Sequence, residues 1–281
     1  MTPMTLKALQ PAAVAAITGG ASGIGLAAAR AFAALGMKVA IADLGADRLA
    51  AAAEQIGGDV LAVEVDVADP AALAHFADTV TAKFGGADVV MNNAGIGPDS
   101  AILGPLDPWE RILAVNLWGV IHGTRAFLPG MLDRGQPGLI INTGSKQGIT
   151  TPPGNPAYNI AKAGVKTYTE ALQHDLRNRP GCQISAHLLI PGFVFTGMTA
   201  VGGGEKPAAA WTADQTVAFM LASVENGDFY ILCPDNDVPR ALDEKRIAWA
   251  AGDLIENRPP LSRWHPDHAD AFKAWQTVRA W

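Results

Sequence analysis

Over roughly its first 190 residues the chain alternates between two hydrophobic periods, and few folds accept that alternation. Short, nearly unbroken apolar runs occupy Ala13–Thr18, Lys38–Asp43, Val60–Asp66, Asp88–Asn92, Gly138–Thr143 and Gln183–Ile190. Between them lie Ala-rich stretches with apolar residues at helical spacing, among them Ile24–Leu35, Ala46–Ile56 and Pro70–Phe84. A strand that is apolar throughout is buried on both faces, as in a parallel sheet covered by helices. Strands and helices in alternation build βαβ units. The pattern predicts an α/β fold: a doubly wound parallel sheet, helices on both faces, and a ligand crevice at the carboxyl ends of the strands.

Farther along, Pro105 to Pro108 mark a turn before a helix over Trp109–Phe127, and Phe229–Leu232 reads as a seventh strand. The last stretch reads as a helix over Arg240–Glu256, a break at Pro259-Pro260 and a helix over Pro266–Trp281. We expect one domain, its core spanning about residues 10–235 and its helical C-terminal extension about 236–281. Trp249, Trp264, Trp275 and Trp281 lie in that extension, which reads either as a helical pair packed on its own sheet or a neighbouring subunit, or as a lid over the substrate.

Composition narrows the function. With 281 residues, 49% of them hydrophobic, the chain can bury a large core. A formal net charge of −6 and the lack of any Lys or Arg run argue against nucleic-acid binding and a polybasic membrane anchor. No apolar stretch approaches the ~20 residues of a membrane span. The short run at Pro11–Ile17 leads into a Gly-rich turn and reads as a strand, not a leader. A cytoplasmic protein is the default expectation. Cys182 and Cys233 are too few for a disulfide framework or a zinc site, and His122, His174 and His187 lack metal-ligand spacing, so no metal is expected.

Thr18-Gly19-Gly20-Ala21-Ser22-Gly23-Ile24-Gly25 follows the first strand and opens a helix. Glycines permit positive φ and close approach to a pyrophosphate, and a helix N-terminus offers free N–H groups and partial positive charge. Asp43, at the end of the second strand, can accept from ribose hydroxyls and would repel a 2′-phosphate. Leu44, not Lys or Arg, follows it, which favours NAD(H); the rival reading is a turn cap. Asp66-Val67 ends the third strand and reads as an adenine contact, with capping of the turn before Pro70 as the alternative.

Tyr158 and Lys162, four residues apart, share one face of a helix. An ordinary Tyr, with a pKa near ~10, is a poor acid–base group at neutrality, and a neighbouring ammonium favours its phenolate. The pair alone is a weak signal. Together with TGGASGIG at 18–25, NNAG at 92–95, Ser145 thirteen residues before Tyr158, YNIAK at 158–162 and PGFVFT at 191–196, the chain resembles the compact short-chain dehydrogenase/reductase family over about residues 10–200.

That resemblance implies a Rossmann-like fold, an NAD(H) cofactor and interconversion of an alcohol and a ketone. It assigns proton transfer to Tyr158. Lys162 lowers the Tyr158 pKa and contacts the nicotinamide ribose, Ser145 orients the substrate oxygen, and Asn116 holds a helix kink and a water linking Lys162 to solvent. It places Gly19, Ser22, Gly23, Ile24, Gly25, Asp43, Asp66 and Val67 at the cofactor. Asn92, Asn93, Ala94 and Gly95 flank the adenosine, and Pro191, Gly192, Val194 and Thr196 wrap the nicotinamide. It also implies a homodimer or homotetramer.

The stretch Cys233-Pro234-Asp235-Asn236 departs from the family, whose last strand usually runs into Asp-Gly-Gly, and the chain then continues well beyond the usual end. Phe193, Met198 and Trp211 read as an apolar cover for the substrate, with Gly202-Gly203-Gly204 as a hinge. Gln147 is a further substrate candidate, whereas Lys146 reads as solvated. A bulky, uncharged, aromatic or cyclic secondary alcohol or ketone is the expected substrate. The alternative from another class is a non-catalytic NAD(H)-sensing protein on the same scaffold, although such a protein could dispense with Tyr158, Lys162, Ser145 or Asn116. A sugar-nucleotide epimerase or dehydratase would need a larger C-terminal region.

Overall fold

The computed structural model describes residues 7–200 and 204–277; the expected hinge at Gly202-Gly203 and the chain end at Trp281 lie outside them. Strands β1 (Val14–Thr18), β2 (Lys38–Asp43), β3 (Val60–Glu64), β4 (Val89–Asn92), β5 (Gly138–Thr143), β6 (Ile184–Ile190) and β7 (Tyr230–Leu232) form one sheet. Its order is β3-β2-β1-β4-β5-β6-β7, and every pair is parallel. The helices are α1 (Gly23–Ala34), α2 (Ala46–Ile56), α3 (Pro70–Phe84), α4 (Asp107–Leu113), α5 (Gly119–Arg134), α6 (Gln147–Thr150), α7 (Pro156–Asn178), α8 (Ala213–Asn226), α9 (Arg240–Ile255) and α10 (Ala269–Thr277).

Alternate strand residues feed two cores. Ala15, Ile17, Val39, Ile41, Met91 and Ile141 meet Phe32 of α1, Leu49 of α2 and Met220 of α8. Val14, Ala16, Ala40, Val90 and Ile140 meet Phe76 of α3, Phe127 of α5 and Leu176 of α7. The strand order reverses between β1 and β4, so the loops after them part and leave the crevice expected of a doubly wound sheet.

Several boundaries differ from expectation for local reasons. β3 ends at Glu64, because Asp66 turns the chain by accepting the Ala68 N–H at 2.9 Å. The helix expected at Trp109–Phe127 is α4 and α5 joined by a π-helical turn at Ala114–Trp118, and it runs on to Gly135, which has a left-handed φ of 61°. Helix α8 falls in a stretch with no element assigned from sequence. Thr212 and Gln215 start it with reciprocal side-chain-to-backbone bonds, a capping box legible as T-x-x-Q.

The C-terminal extension makes a small core of its own. Trp249, 5% exposed, meets the rings of Phe272 and Trp275 edge-on at 5.2 and 5.9 Å. The Arg258 guanidinium stacks on it at 4.0 Å, and its indole N–H donates to Ser262 Oγ. In place of one helix from Pro266, two short 3₁₀ turns at Ser262–Trp264 and Pro266–His268 precede α10. No helix among the described residues is long and apolar enough to cross a membrane.

Candidate active site

The Gly-rich turn leaves β1 and enters α1. Gly19 and Gly23 have φ of 67° and 54°, the left-handed region that favours glycine. A Cβ on Gly25 would overlap the Gly19 carbonyl oxygen, and one on Gly19 would stand 2.8 Å from Ala94 Cα. Ser22 occupies the N-cap of α1 but makes no side-chain cap bond, so its hydroxyl and the N–H groups of the first turn are not spent on a cap. A turn this tight, ending in a helix N-terminus, fits a dinucleotide's pyrophosphate.

Asp43 sits at the tip of β2. Its carboxylate accepts the Ala21 N–H at 3.0 Å and the Leu44 N–H at 2.8 Å, which locks it beside the turn. Arg48, from the first turn of α2, brings Nη2 to 3.6 Å of it and donates to the Leu44 carbonyl at 2.6 Å. Leu44 directly after Asp43 gives no sign of this cation, which one helical turn brings back to the carboxylate. Asp66 serves the turn before α3, the alternative reading of that residue, while Asp69 caps the helix by accepting from Ala71 N–H. Val67 is buried, with its side chain against Gly119.

Asn92 and Asn93 part company. Asn92 turns inward, donating to Thr124 Oγ1 at 3.1 Å and Asn142 Oδ1 at 2.9 Å, so its side chain braces β4 to β5 instead of flanking the crevice. Asn93 knits the tips of β1 and β5: its Nδ2 donates to the Thr18 and Gly19 carbonyls, and its Oδ1 accepts from Thr143 Oγ1. Ala94 N–H donates to Thr18 Oγ1 at 3.2 Å. Gly95 lies close to Asn116, whose Oδ1 a Cβ there would meet at 3.4 Å. Asn116 is fully buried in the π-helical turn and brackets Ile96, accepting its N–H and donating to its carbonyl, both at 2.8 Å. A π-turn re-aims side chains within an otherwise regular helix.

Tyr158 and Lys162 project from the first turns of α7. Asn155 caps that helix by accepting from Tyr158 N–H at 3.3 Å, and the same oxygen accepts from Ser100 Oγ at 2.6 Å. Asn155 Nδ2 donates to the Pro98 carbonyl. Both residues escaped the sequence reading, although Asn-Pro before a helical run is a start signal. Burial pushes the Tyr158 phenol up from its ordinary value, and the neighbouring Ser145 hydroxyl opposes the rise. Ser145 Oγ also accepts the Gln147 N–H at 3.1 Å. Lys162 is 4% exposed, donates to the Thr143 carbonyl at 2.8 Å and lies 5.8 Å from the Tyr158 ring centroid. Burial lowers it from 10.5 to about 8.

The segment after β6 closes the other side. Pro191 and Val194 are buried. Thr196 reaches the dinucleotide turn, where a Cβ on Gly23 would touch its methyl at 3.2 Å. Met198, half-exposed, lies over Gly95 and Gly97, and Phe193 is 39% exposed. Trp211 pairs backbone to backbone with Phe193 and Phe195 and sets its ring against Phe219 of α8 at 5.8 Å, so it pins the segment to the scaffold. Gln147 is exposed. Lys146, expected in solvent, is instead held between Asp235 and Asp243.

A family model described as short chain dehydrogenase matches residues 13–204. The chain belongs to the short-chain dehydrogenase family. Members of this family are oxidoreductases that bind a nicotinamide dinucleotide. The chain is 34% identical over 250 residues to a 1-deoxy-11-beta-hydroxypentalenate dehydrogenase of Streptomyces avermitilis, covering 86% of this chain and 91% of that one. A short-chain dehydrogenase/reductase from Burkholderia phymatum, solved in complex with NAD, superposes with a TM-score of 0.80 at 30% identity, covering 89% of this chain and 96% of the other. The L-sorbose reductase of Gluconobacter frateurii, complexed with NADPH and L-sorbose, gives 0.70 at 28% identity over 79% and 94% of the two chains. The family thus includes structures with either form of the cofactor.

Proposed function

We propose that this short-chain dehydrogenase interconverts a secondary alcohol and a ketone with NAD(H), and that Tyr158 moves the proton. One observation carries the reading: the Ser145 hydroxyl neighbours the buried Tyr158 phenol, and the buried Lys162 amine lies 5.8 Å from the Tyr158 ring centroid. The bound nicotinamide supplies the hydride acceptor or donor. In the oxidative direction Ser145 holds the substrate hydroxyl, and the Tyr158 phenolate takes its proton as the C–H bond gives up its hydride. In reduction the phenol returns the proton to the carbonyl oxygen. Burial disfavours a lone phenolate, so positive charge from Lys162 is what makes that form accessible.

For the cofactor, Gly19, Ser22, Gly23, Ile24 and Gly25 suit the pyrophosphate, Asp43 the adenosine ribose, and Asn93, Ala94 and Gly95 the wall beside it. Lys162 suits the second ribose, and Pro191, Gly192, Val194 and Thr196 the nicotinamide side. A carboxylate held by two backbone N–H groups favours ribose hydroxyls over a 2′-phosphate. Phe193 and Met198 present apolar surface at the entrance, which favours a bulky, uncharged skeleton. The name of the Streptomyces relative, a hydroxypentalenate dehydrogenase, supports a hydroxyl-bearing substrate, though its carboxylate ending lends nothing to the uncharged part of the reading.

A screen of NAD⁺ reduction against diverse secondary alcohols tests the substrate class; exclusive preference for small charged hydroxy acids would overturn it. Tyr158→Phe tests the mechanism. It should lower turnover by about 10²- to 10⁴-fold while NADH binding stays within a few-fold. A variant keeping most of its activity would remove the assignment.

A further inference from the structure

Three oddities of the sequence meet at one place in the fold: Lys146 beside Ser145, the Pro234-Asp235-Asn236 stretch after β7, and the added helix α9. Lys146 Nζ lies 2.6 Å from Asp243 Oδ2 of α9 and 3.3 Å from Asp235 Oδ2. The three side chains are 17%, 5% and 6% exposed, in the order Lys146, Asp243, Asp235. Asp235 Oδ2 also accepts the Phe193 N–H at 3.2 Å. A Cβ on Gly192 would stand 2.6 Å from that oxygen and 2.9 Å from Lys146 Nζ, so the segment after β6 crosses in direct contact with the cluster. Arg246 and Arg263 lie close enough to add positive charge around Asp243.

We propose that Lys146, Asp235 and Asp243 are positioning residues: one shared ammonium ties the Ser145 turn and the Gly192–Phe193 segment to α9, making the C-terminal extension a fixed wall of the active site. Two buried carboxylates remain charged only while partnered, and Lys146 serves both. Swinging α9 outward as a lid would strand Asp243 and leave Lys146 underpartnered, so the geometry opposes that motion. The tie reaches both sides of the reaction centre. Along one path it fixes the backbone around Ser145, whose Oγ accepts the Gln147 N–H and neighbours Tyr158. Along the other it fixes Phe193 N–H, one residue before Val194. A misplacement of about 1 Å at such a centre can cost about 10²-fold in rate.

The inference rests on the proposed proton-transfer site, and Asp243→Asn tests it. This variant keeps Lys146 paired with Asp235 and takes the three-residue cluster from a formal charge of −1 to 0. The charge-free triple variant Lys146→Met/Asp235→Asn/Asp243→Asn covers the case in which the single change fails to fold. With NAD⁺ and the best alcohol of the screen, kcat should fall about tenfold or more, with the NADH dissociation constant within twofold of wild type. Amide hydrogen exchange should quicken at residues 145–150 and at Phe193 and stay unchanged in β4 and β5. Wild-type kcat together with wild-type exchange in the variants would overturn the tie. If wild type turns over no alcohol, the proposed function fails, and the exchange comparison alone still decides whether the cluster holds the turn.

Discussion

Lys162 puts stability and the proposed chemistry in conflict. It is 4% exposed, and burial lowers its ammonium from 10.5 to about 8. An unfolded chain holds that proton up to about pH 10.5, whereas the folded chain releases it near pH 8. Between those values the unfolded state binds more protons, so stability rises with pH, and below pH 8 the full penalty applies. A shift of roughly 2.5 pH units at ~1.36 kcal/mol each puts that penalty at about 3 kcal/mol. The hydrogen bond from Lys162 to the Thr143 carbonyl offsets about 1.5–3 kcal/mol of it. Lys162→Met, of similar length and without charge, should therefore be about 1 kcal/mol more stable than wild type at pH 7. Carrying the titration from pH 7 to pH 9 relieves about 1 kcal/mol of the wild-type penalty, so the advantage should vanish near pH 9. Urea unfolding of both proteins at the two pH values measures it. A Met variant destabilised by the same amount at both would refute the reasoning, because the buried ammonium would then carry no cost. The same variant should be catalytically crippled, the usual trade between a strained site and a stable fold.

Asp43→Ser removes the carboxylate and frees Arg48, now 3.6 Å from it, to meet a 2′-phosphate. The NAD-over-NADP preference in kcat/KM should fall by about 10- to 100-fold, and adding Arg48→Ala should cancel the gain with NADP; an unchanged preference would remove the role given to Asp43. Asn155→Ala deletes the cap of α7 and should cost about 1–2 kcal/mol, seen as a lower urea midpoint, with kcat falling more than KM rises. An unaltered midpoint and kcat would show that Tyr158 is held by other means. Gly25→Ala drives a Cβ into the Gly19 carbonyl and should weaken NADH binding more than about tenfold in a fluorescence titration; wild-type affinity would mean the turn is looser than it looks.

What could be read in advance followed from periodicity and local chemistry. All seven strands begin and end within two residues of the expected apolar runs, because a parallel sheet buried on both faces leaves few other places for such runs. The Gly-rich turn and the Tyr158–Lys162 face were legible because each depends on residues adjacent on a turn or a helix. Features built across the chain were not. Arg48 returns to Asp43 only once α2 forms, Asn92 turns inward because Thr124 and Asn142 supply its partners, and Trp211 faces Phe219 because of where α8 lies. Lys146 looked like a solvated lysine because its two carboxylates are about 90 and 97 residues away in sequence.

The proton-transfer site makes the same point about electrostatics. Sequence alone suggested a lysine that lowers a tyrosine pKa. In the folded protein one burial acts on both groups in opposite senses, raising the Tyr158 phenol and lowering the Lys162 ammonium. Their titration ranges, ordinarily close together, are pushed apart with the amine now the stronger acid. In that environment a neutral phenol beside a neutral amine competes with a phenolate beside an ammonium, and the two forms differ by only the position of one proton. A pH–rate profile would therefore report values belonging to the pair. Removing either partner should move the apparent value of the other, whereas two independent groups would each titrate as before.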